Sequence, residues 1–374
     1  MSYLVPHNRD MRFVHTADWQ IGMAAAQVGE AGSRVRQARL DAIHKVAKVC
    51  RNEQAEFLIV AGDTFEHHGV GRDLIAAVAS LMQQMPCPVY VIPGNHDPEH
   101  HGSVWRDPIW SQCDRVHVLL TRDPVSIPGA ILYPCPLFCR RSGEDPTSWI
   151  PSTPEEGKLR IGIAHGHAGE TPNGDGSYPV AFDASKRAGL DYLALGHWHS
   201  TTIFPGARMA YSGTHEPTAF GEPDSGNVLV VELTGKGALP VVTRVHTGTL
   251  SWRQIKQSIT SEGVLGGLVQ ELAQSANPDS QLLQVCLSGL LFGSDVGVLA
   301  RLEDVCGGFL YARVDRAELK PAPADESWMA DLPAGIIYQT AHRLRDLAGT
   351  PGPDAEIATQ SLLELYAMAS EVMA

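Results

Sequence analysis

Five short polar clusters each close a short apolar run in the first two hundred residues, and this spacing constrains the fold more than any other feature of the chain. The clusters are Asp18-Trp19-Gln20, Gly62-Asp63, Gly94-Asn95-His96-Asp97, His165-Gly166-His167 and Gly196-His197-Trp198-His199. The runs before them, Arg12–Thr16, Phe57–Ala61, Val89–Ile92, Arg160–Ala164 and Tyr192–Leu195, have the length and β-branched content of buried strands. Val35, Leu40, Ile43, Val46, Ala47 and Cys50 recur at helical spacing between the first two runs, as do Leu74, Ile75, Val78 and Leu81 between the second and third. Strand, helix, strand, helix, strand predicts a parallel α/β core. In such a sheet functional groups gather beyond the carboxyl ends of the strands, so clusters from separate strands converge on one site.

Further strands are expected at Val116–Leu119, Ile131–Tyr133, Thr202–Phe204, Met209–Tyr211, Val228–Leu233 and Val241–Val245. Turns rather than helices separate the later ones, which therefore read as antiparallel. Composition shifts near Thr234–Gly237. Beyond it a smaller α+β unit is expected, with helices at Val264–Ala273 and Asp295–Val305 and strands at Leu282–Leu287 and Phe309–Val314. The Pro-rich stretch Lys320-Pro-Ala-Pro-Ala then leads to two amphipathic helices, Ala334–Leu347 and Pro353–Met373. The expected organisation is a catalytic domain over 1–245, an α+β capping domain over 246–322 and a helical tail over 323–374.

A chain of 374 residues holds two or three domains that bury cores without metal or disulfide staples. Its formal charge of −13 leaves nucleic acid binding to a local basic groove or to a partner's surface. From Ser251 onward eight basic residues face sixteen acidic ones, a poor duplex-binding surface. Seven cysteines without a close CxxC pair, no secretory leader and no run of 18 apolar residues are expected of a cytoplasmic protein that does not enter a membrane.

The polar clusters hold carboxylates (Asp18, Asp63), amides (Gln20, Asn95) and imidazoles (His165, His197, His199) without thiolates, a set suited to Mn, Fe, Zn or Mg. Six or seven such groups serve two ions about 3.5–4 Å apart if one carboxylate bridges them, an arrangement that typically hydrolyses phosphate esters. Asp63, after the most apolar strand, is the candidate bridge. The plainer reading, that these groups only cap loops, is disfavoured because six of them stand at strand ends.

Taken together and in this order, the motifs resemble those of the calcineurin-like metallophosphoesterases. Within that family the chain is most similar to the SbcD-type DNA-repair nuclease subunits, bacterial relatives of the Mre nucleases. His15-Thr16-Ala17-Asp18-Trp19, Gly62-Asp63-Thr64-Phe65 and Tyr211-Ser212-Gly213-Thr214 carry the narrower likeness. The likeness covers roughly the first 235 residues, and the later part matches only in its pattern of elements. It implies an αββα sandwich with a smaller C-terminal α+β cap and a helical tail. It implies two divalent ions, Mn first with Mg or Fe as alternatives: Asp18, Gln20, Asp63 and His199 on one, Asp63, Asn95, His165 and His197 on the other. Gln20 stands where the family has histidine. Either its oxygen ligates, giving a looser site that favours Mn or Mg over Zn, or it does not and the site is mononuclear or dead; ligation is the reading adopted. Glu66 is a second departure, where nuclease members often carry His or Asp. A metal-bridging hydroxide would attack phosphorus in line, His96 would protonate the leaving 3′-oxygen, and Asp97 would orient and charge-stabilise His96.

The implied function is a Mn-dependent DNA phosphodiesterase, exonuclease or endonuclease, working with an SbcC-like coiled-coil ATPase and with a homodimer left open. One rival is a phosphodiesterase or phosphatase for small molecules such as cyclic nucleotides. The other is a structural subunit weakened at Gln20. Several features take plainer readings: Trp19 and Trp198 as packing, His67, His68, His100 and His101 as surface groups, His167 as a rim residue, and Cys135 with Cys139 as core rather than zinc ligands. The tail helices either pack on their own domain or dock on the ATPase, with neither preferred.

Overall fold

Side chains one apart on a strand point to opposite faces, and in the first strands both faces are apolar. The computed structural model, which describes residues 10–152, 157–169, 177–323 and 326–373, shows what each face meets. In β1 (Met11–Thr16) Phe13 enters one core and Val14 another. Helix α1 (Gly32–Asn52) then leads to β2 (Leu58–Ala61), where Leu58 and Val60 join Val14 while Ile59 and Ala61 join Phe13. Helix α2 (Arg72–Gln83), β3 (Val89–Ile92) and β4 (Val116–Val118) complete a parallel run, β1-β2-β3-β4. Ile43, Val46, Ile75, Val78 and Met82 from the two helices cover its outer face.

The chain next builds a second sheet. It comprises β5 (Val125–Ile127), β6 (Ala130–Cys135) and β7 (Leu159–His165), then, after the short pair β8 (His167–Ala168) and β9 (Pro179–Val180) and helix α3 (Ala184–Arg187), β10 (Tyr192–Gly196), β11 (Thr202–Phe204) and β12 (Met209–Tyr211). Its order is β11-β12-β10-β7-β6-β5. Strands β13 (Asn227–Leu233) and β14 (Val241–His246) return to the edge of the first sheet, giving β14-β13-β1-β2-β3-β4. The inner faces share a core in which Phe13, Ile59 and Ile92 meet Leu132, Ile161, Ile163 and Ala194. Ala184, Ala188 and Leu190 close the outer face of the second sheet over Tyr133, Leu193 and Leu195. This is an αββα sandwich. The expected antiparallel pairing holds between β11 and β12, β13 and β1, and β14 and β13, whereas β12 pairs on its other side with β10 in parallel. The reversal into β11 is followed by a second reversal into β12, and two reversals restore the direction of β10.

The chain divides into two compact units, residues up to Leu250 and from Ser251 onward. In the second, β15 (Ser251–Ile259), α4 (Val264–Ala273), β16 (Gln281–Leu291), α5 (Val296–Cys306) and β17 (Tyr311–Pro321) form a three-stranded parallel sheet with two helices. Its core holds Leu265, Leu268, Leu283, Val285 and Leu302. The mostly polar strand β15 escaped sequence reading. Helices α6 (Ile336–Ala348) and α7 (Ala355–Met373) bring together a small cluster of Met329, Leu332 and Ala341 with Leu362 and Leu365. Of the apolar stripe expected on α6, only Ala341 is fully buried; Ile336, Ile337 and Leu347 are exposed. Among the described residues no helix is long and apolar enough to cross a membrane.

Candidate metal centre

Each polar cluster begins where its strand stops, and there the backbone leaves the extended region. Asp18, Gln20, Asp63 and His197 all have positive φ, at 53°, 47°, 50° and 107°. Such conformations in residues with a Cβ cost of order 1–3 kcal/mol each and persist only where the surroundings enforce them. Here they are enforced by main-chain bonds between the loops: Asp18 N–H donates to Gly62 O at 3.1 Å and Gln20 N–H to Asp63 O at 3.0 Å. Two glycines permit the closest approaches. A Cβ on Gly94 would collide with the Asp63 carboxylate and amide, and one on Gly196 with the Ala61 carbonyl and the His165 ring.

Ligand atoms of Asp18, Asp63 and His165 lie within 4.8 Å of one another, all buried. His165 Nε2 is 3.4 Å from Asp63 Oδ2 and 2.8 Å from Asn95 Oδ1, which also faces His197 Nδ1 at 3.0 Å. The main-chain N–H of His197 is shared by both Asp18 oxygens, at 3.1 and 3.0 Å. Gln20 Nε2 donates to Asp63 Oδ2 at 3.0 Å. Thus Asp18, Gln20, Asp63, Asn95, His165 and His197 form one bonded constellation. His199 is turned by its Nδ1 toward Glu222 Oε1, at 2.7 Å, which leaves its Nε2 for another partner.

Two features fit this constellation to divalent cations. Gln20 Oε1 is buried and finds no hydrogen-bond partner among the described residues, so a hard acceptor remains for a cation to satisfy. Both nitrogens of His165 face acceptors, Ala61 O at 2.9 Å on Nδ1 and Asn95 Oδ1 on Nε2. With the Asn95 oxygen toward Nε2, an imidazolium, or an imidazole whose Nε2 looks at a cation, satisfies both sides. The electrostatics agree. Burial tends to lower the His165 pKa, but the Asp63 charge outweighs it and lifts the ring to about 9. Burial likewise pushes both carboxyls up: it prevails at Asp18, whereas His165 and His96 hold Asp63 below the usual carboxylate range.

His96 sits beside this cluster, its main-chain N–H donating to Asp63 Oδ1 at 2.8 Å. Asp97 does not take the role expected of it. Its Oδ1 accepts from Gly94 N–H at 2.7 Å and its Oδ2 from Phe65 N–H at 2.9 Å, so the carboxylate braces the turn that carries Asn95. Neighbours in a tight turn point apart, and sequence adjacency to His96 misled. The partner of His96 is Glu66, whose carbonyl oxygen lies 3.1 Å and carboxylate 3.5 Å from Nδ1. Glu66 raises the His96 pKa to about 9 against the effect of burial, with help from Asp63. Burial, then the Asp63 charge, lifts Asp97 to about 7 although two amides donate to it.

Sequence reasoning passed over three more residues. Fully buried Arg39 of α1 spans two loops: its guanidinium donates to the carbonyls of Asp18 and Trp19 and to those of Glu216 and Pro217. Glu216 accepts from Thr249 N–H at 2.6 Å and Leu250 N–H at 2.9 Å. Glu222 takes the hydroxyl and, at 2.8 Å, the amide of Thr218 besides the His199 ring; burial would raise its pKa, but His199 and Thr218 draw it to about 2. Among the plainer readings, Trp19 is fully buried, Trp198 packs on an outer core, Cys135 is buried, and Cys139 is exposed. His68 and His100 stack edge to face at 4.3 Å, and His167 is half-buried.

Residues 11–201, about half of the chain, match the family model described as calcineurin-like phosphoesterase. A Bacillus subtilis (strain 168) protein described as the uncharacterized metallophosphoesterase YhaO is 22% identical over 290 residues, which is 70% of this chain and 66% of that one. The crystal structure of TT1561 of Thermus thermophilus is matched over all of its length and 64% of this chain, at 10% identity and a TM-score of 0.42.

Proposed function

The chain belongs to the calcineurin-like phosphoesterase family, whose members hydrolyse phosphoesters with divalent metals, and on that footing we propose that it is a Mn-dependent DNA phosphodiesterase, a repair nuclease of SbcD type. The observation that carries the reading is His96. A nucleic acid diester expels a poor alkoxide leaving group, so its hydrolysis gains from a proton donor beside the phosphate. His96 is that donor: Glu66 holds Nδ1 and, with Asp63, favours the protonated ring, while Nε2, 4.0 Å from Asp63 Oδ2, faces the carboxylate cluster and would give its proton to the departing oxygen.

Bound at this site, divalent ions supply Lewis-acid polarisation of the ester and an activated water. Asp18, Gln20, Asp63 and His199 would hold one, and Asp63, Asn95, His165 and His197 the other. An amide oxygen at Gln20 makes the first set harder than one with imidazole there, which favours Mn or Mg over Zn. Asp97 and Arg39 keep the ligand loops in place. The reading extends to a partner: Ile336, Ile337 and Ile357, exposed on the tail helices, would dock on an SbcC-like coiled-coil ATPase. It also places the protein in the cytoplasm, in keeping with seven free thiols.

The test incubates pure protein with Mn, and separately with Mg, on end-labelled single-stranded, duplex and hairpin DNA beside bis-p-nitrophenyl phosphate. Degradation of DNA by the wild type and not by Asn95→Ala is the expected result. Hydrolysis of the small ester alone, even with an ATPase partner added, would turn the assignment to a small-molecule phosphodiesterase. Failure on every substrate would favour a structural subunit.

A further inference from the structure

Strands β6 and β7 are parallel, with Cys135 opposite Ala164, so the segment that leaves β6 emerges at the same sheet edge as the ligand His165. It stays there. Leu137 N–H donates to Pro93 O at 3.3 Å and Leu137 O accepts from Glu99 N–H at 2.7 Å, which ties the segment to both ends of the loop bearing Asn95, His96 and Asp97. The next residue, Phe138, is 45% exposed, and the Arg122 guanidinium lies 5.4 Å from its ring centroid. Arg140 is exposed and makes no hydrogen bond or ion pair with the described residues. An aromatic face with cations close to it in space or sequence, next to a residue bonded to the loop that bears Asn95, stands out on a chain of charge −13.

We propose that this segment is a docking platform for a single strand of nucleic acid, on which Phe138 stacks the base next to the scissile phosphate and Arg122 and Arg140 face the flanking phosphates. The inference rests on the DNA reading above and adds the residues that select a polymer over a small ester. A ring with a cation beside it takes any base, since every base has a π-face, and basic side chains along the backbone supply the sequence-independent part of binding. The tryptophans of the motifs do not compete for this role: Trp19 is fully enclosed and the half-buried Trp198 packs on the outer core.

The test compares the wild type, Phe138→Ala, Phe138→Trp and Arg140→Ala in the full chain with Mn, measuring KM and kcat on a single-stranded oligodeoxynucleotide and on bis-p-nitrophenyl phosphate. Loss of one stacked base is expected to raise KM for the oligonucleotide about tenfold in Phe138→Ala, with the small ester hydrolysed as by the wild type and the oligonucleotide KM kept in Phe138→Trp. For Arg140→Ala the slope of log KM against log salt should fall by about one contact. An unchanged KM for the oligonucleotide in Phe138→Ala overturns the platform while the nuclease reading stands. Equal losses on both substrates overturn it too, since they mark a structural role. A wild type that cleaves only the small ester removes the DNA reading and the platform with it.

Discussion

Glu66 and Asp97 show how far residue order and residue contact diverge in a site built from loops. Asp97 follows His96 directly, yet spends both oxygens on the amides of Gly94 and Phe65. Glu66, thirty residues away on the loop after β2, reaches the His96 ring. A carboxylate against Nδ1 favours the imidazolium, so Glu66→Gln should leave His96 a weaker proton reservoir. We expect kcat on DNA to fall about 10²-fold, the lower end of what general acid catalysis contributes. Bis-p-nitrophenyl phosphate, whose leaving group needs no proton, should be cleaved within about threefold of the wild-type rate, because no proton transfer is at stake. Equal losses on both esters would mean that Glu66 shapes the loop rather than arms His96. That Asp18, Gln20, Asp63, Asn95, His165 and His197 would gather in one place was legible in the sequence because each follows or ends a strand of the sandwich. The pairing of His96 was not, since it depends on side-chain direction within a turn.

At the scale of the element, α1 does more than cover the sheet. Its buried stripe includes Val35, Arg39 and Ile43, four residues apart, so a guanidinium lies on the apolar face of the helix. That spacing was visible in the sequence as a charge on an apolar stripe. What it serves was not, because its acceptors are main-chain carbonyls from Asp18, Trp19, Glu216 and Pro217, distant in sequence from the helix. Burial lowers the Arg39 pKa to about 10, against the attraction of Glu216 and Glu222, so the group remains a cation at neutral pH. Arg39→Met removes the charge but strands these carbonyls, at about 1–3 kcal/mol for each one left buried and unpaired. The variant should melt well below the wild type. If it folds, it should bind Mn more weakly by calorimetry, because the loop bearing Asp18 and Gln20 loses its anchor. Arg39→Lys should rescue little, since one ammonium cannot reproduce a planar fork of donors. Wild-type Mn affinity in a folded Arg39→Met protein would confine the residue to stability.

For the whole molecule, the question is how much of the chemistry one unit contains. Among the described residues the central core and both outer cores of the sandwich draw only on residues before Leu250, and the ligand candidates run from Asp18 to His199. The sandwich was readable from the sequence because its central strands, such as β2 and β3, are buried on both faces and apolar throughout. The second unit was read less well for the converse reason. Its first strand, β15, exposes Gln254, Lys256 and Ser258, but the less exposed positions between and beside them include Arg253 and Gln257 as well as Ile255 and Ile259, so it carries neither an apolar run nor a clean apolar alternation. A sandwich of this size holds enough apolar surface to fold without help. Residues 1–250 alone should therefore unfold in one cooperative transition, bind Mn and hydrolyse bis-p-nitrophenyl phosphate at close to the full-length rate. On DNA the same fragment should lose activity if the second unit caps the site as the family resemblance implies, whereas the Phe138 platform stays within the fragment. A fragment that folds by circular dichroism yet cannot cleave the small ester would place part of the catalytic machinery beyond Leu250. One that degrades DNA as the full chain does would free the second unit from the substrate and leave partner docking as its role.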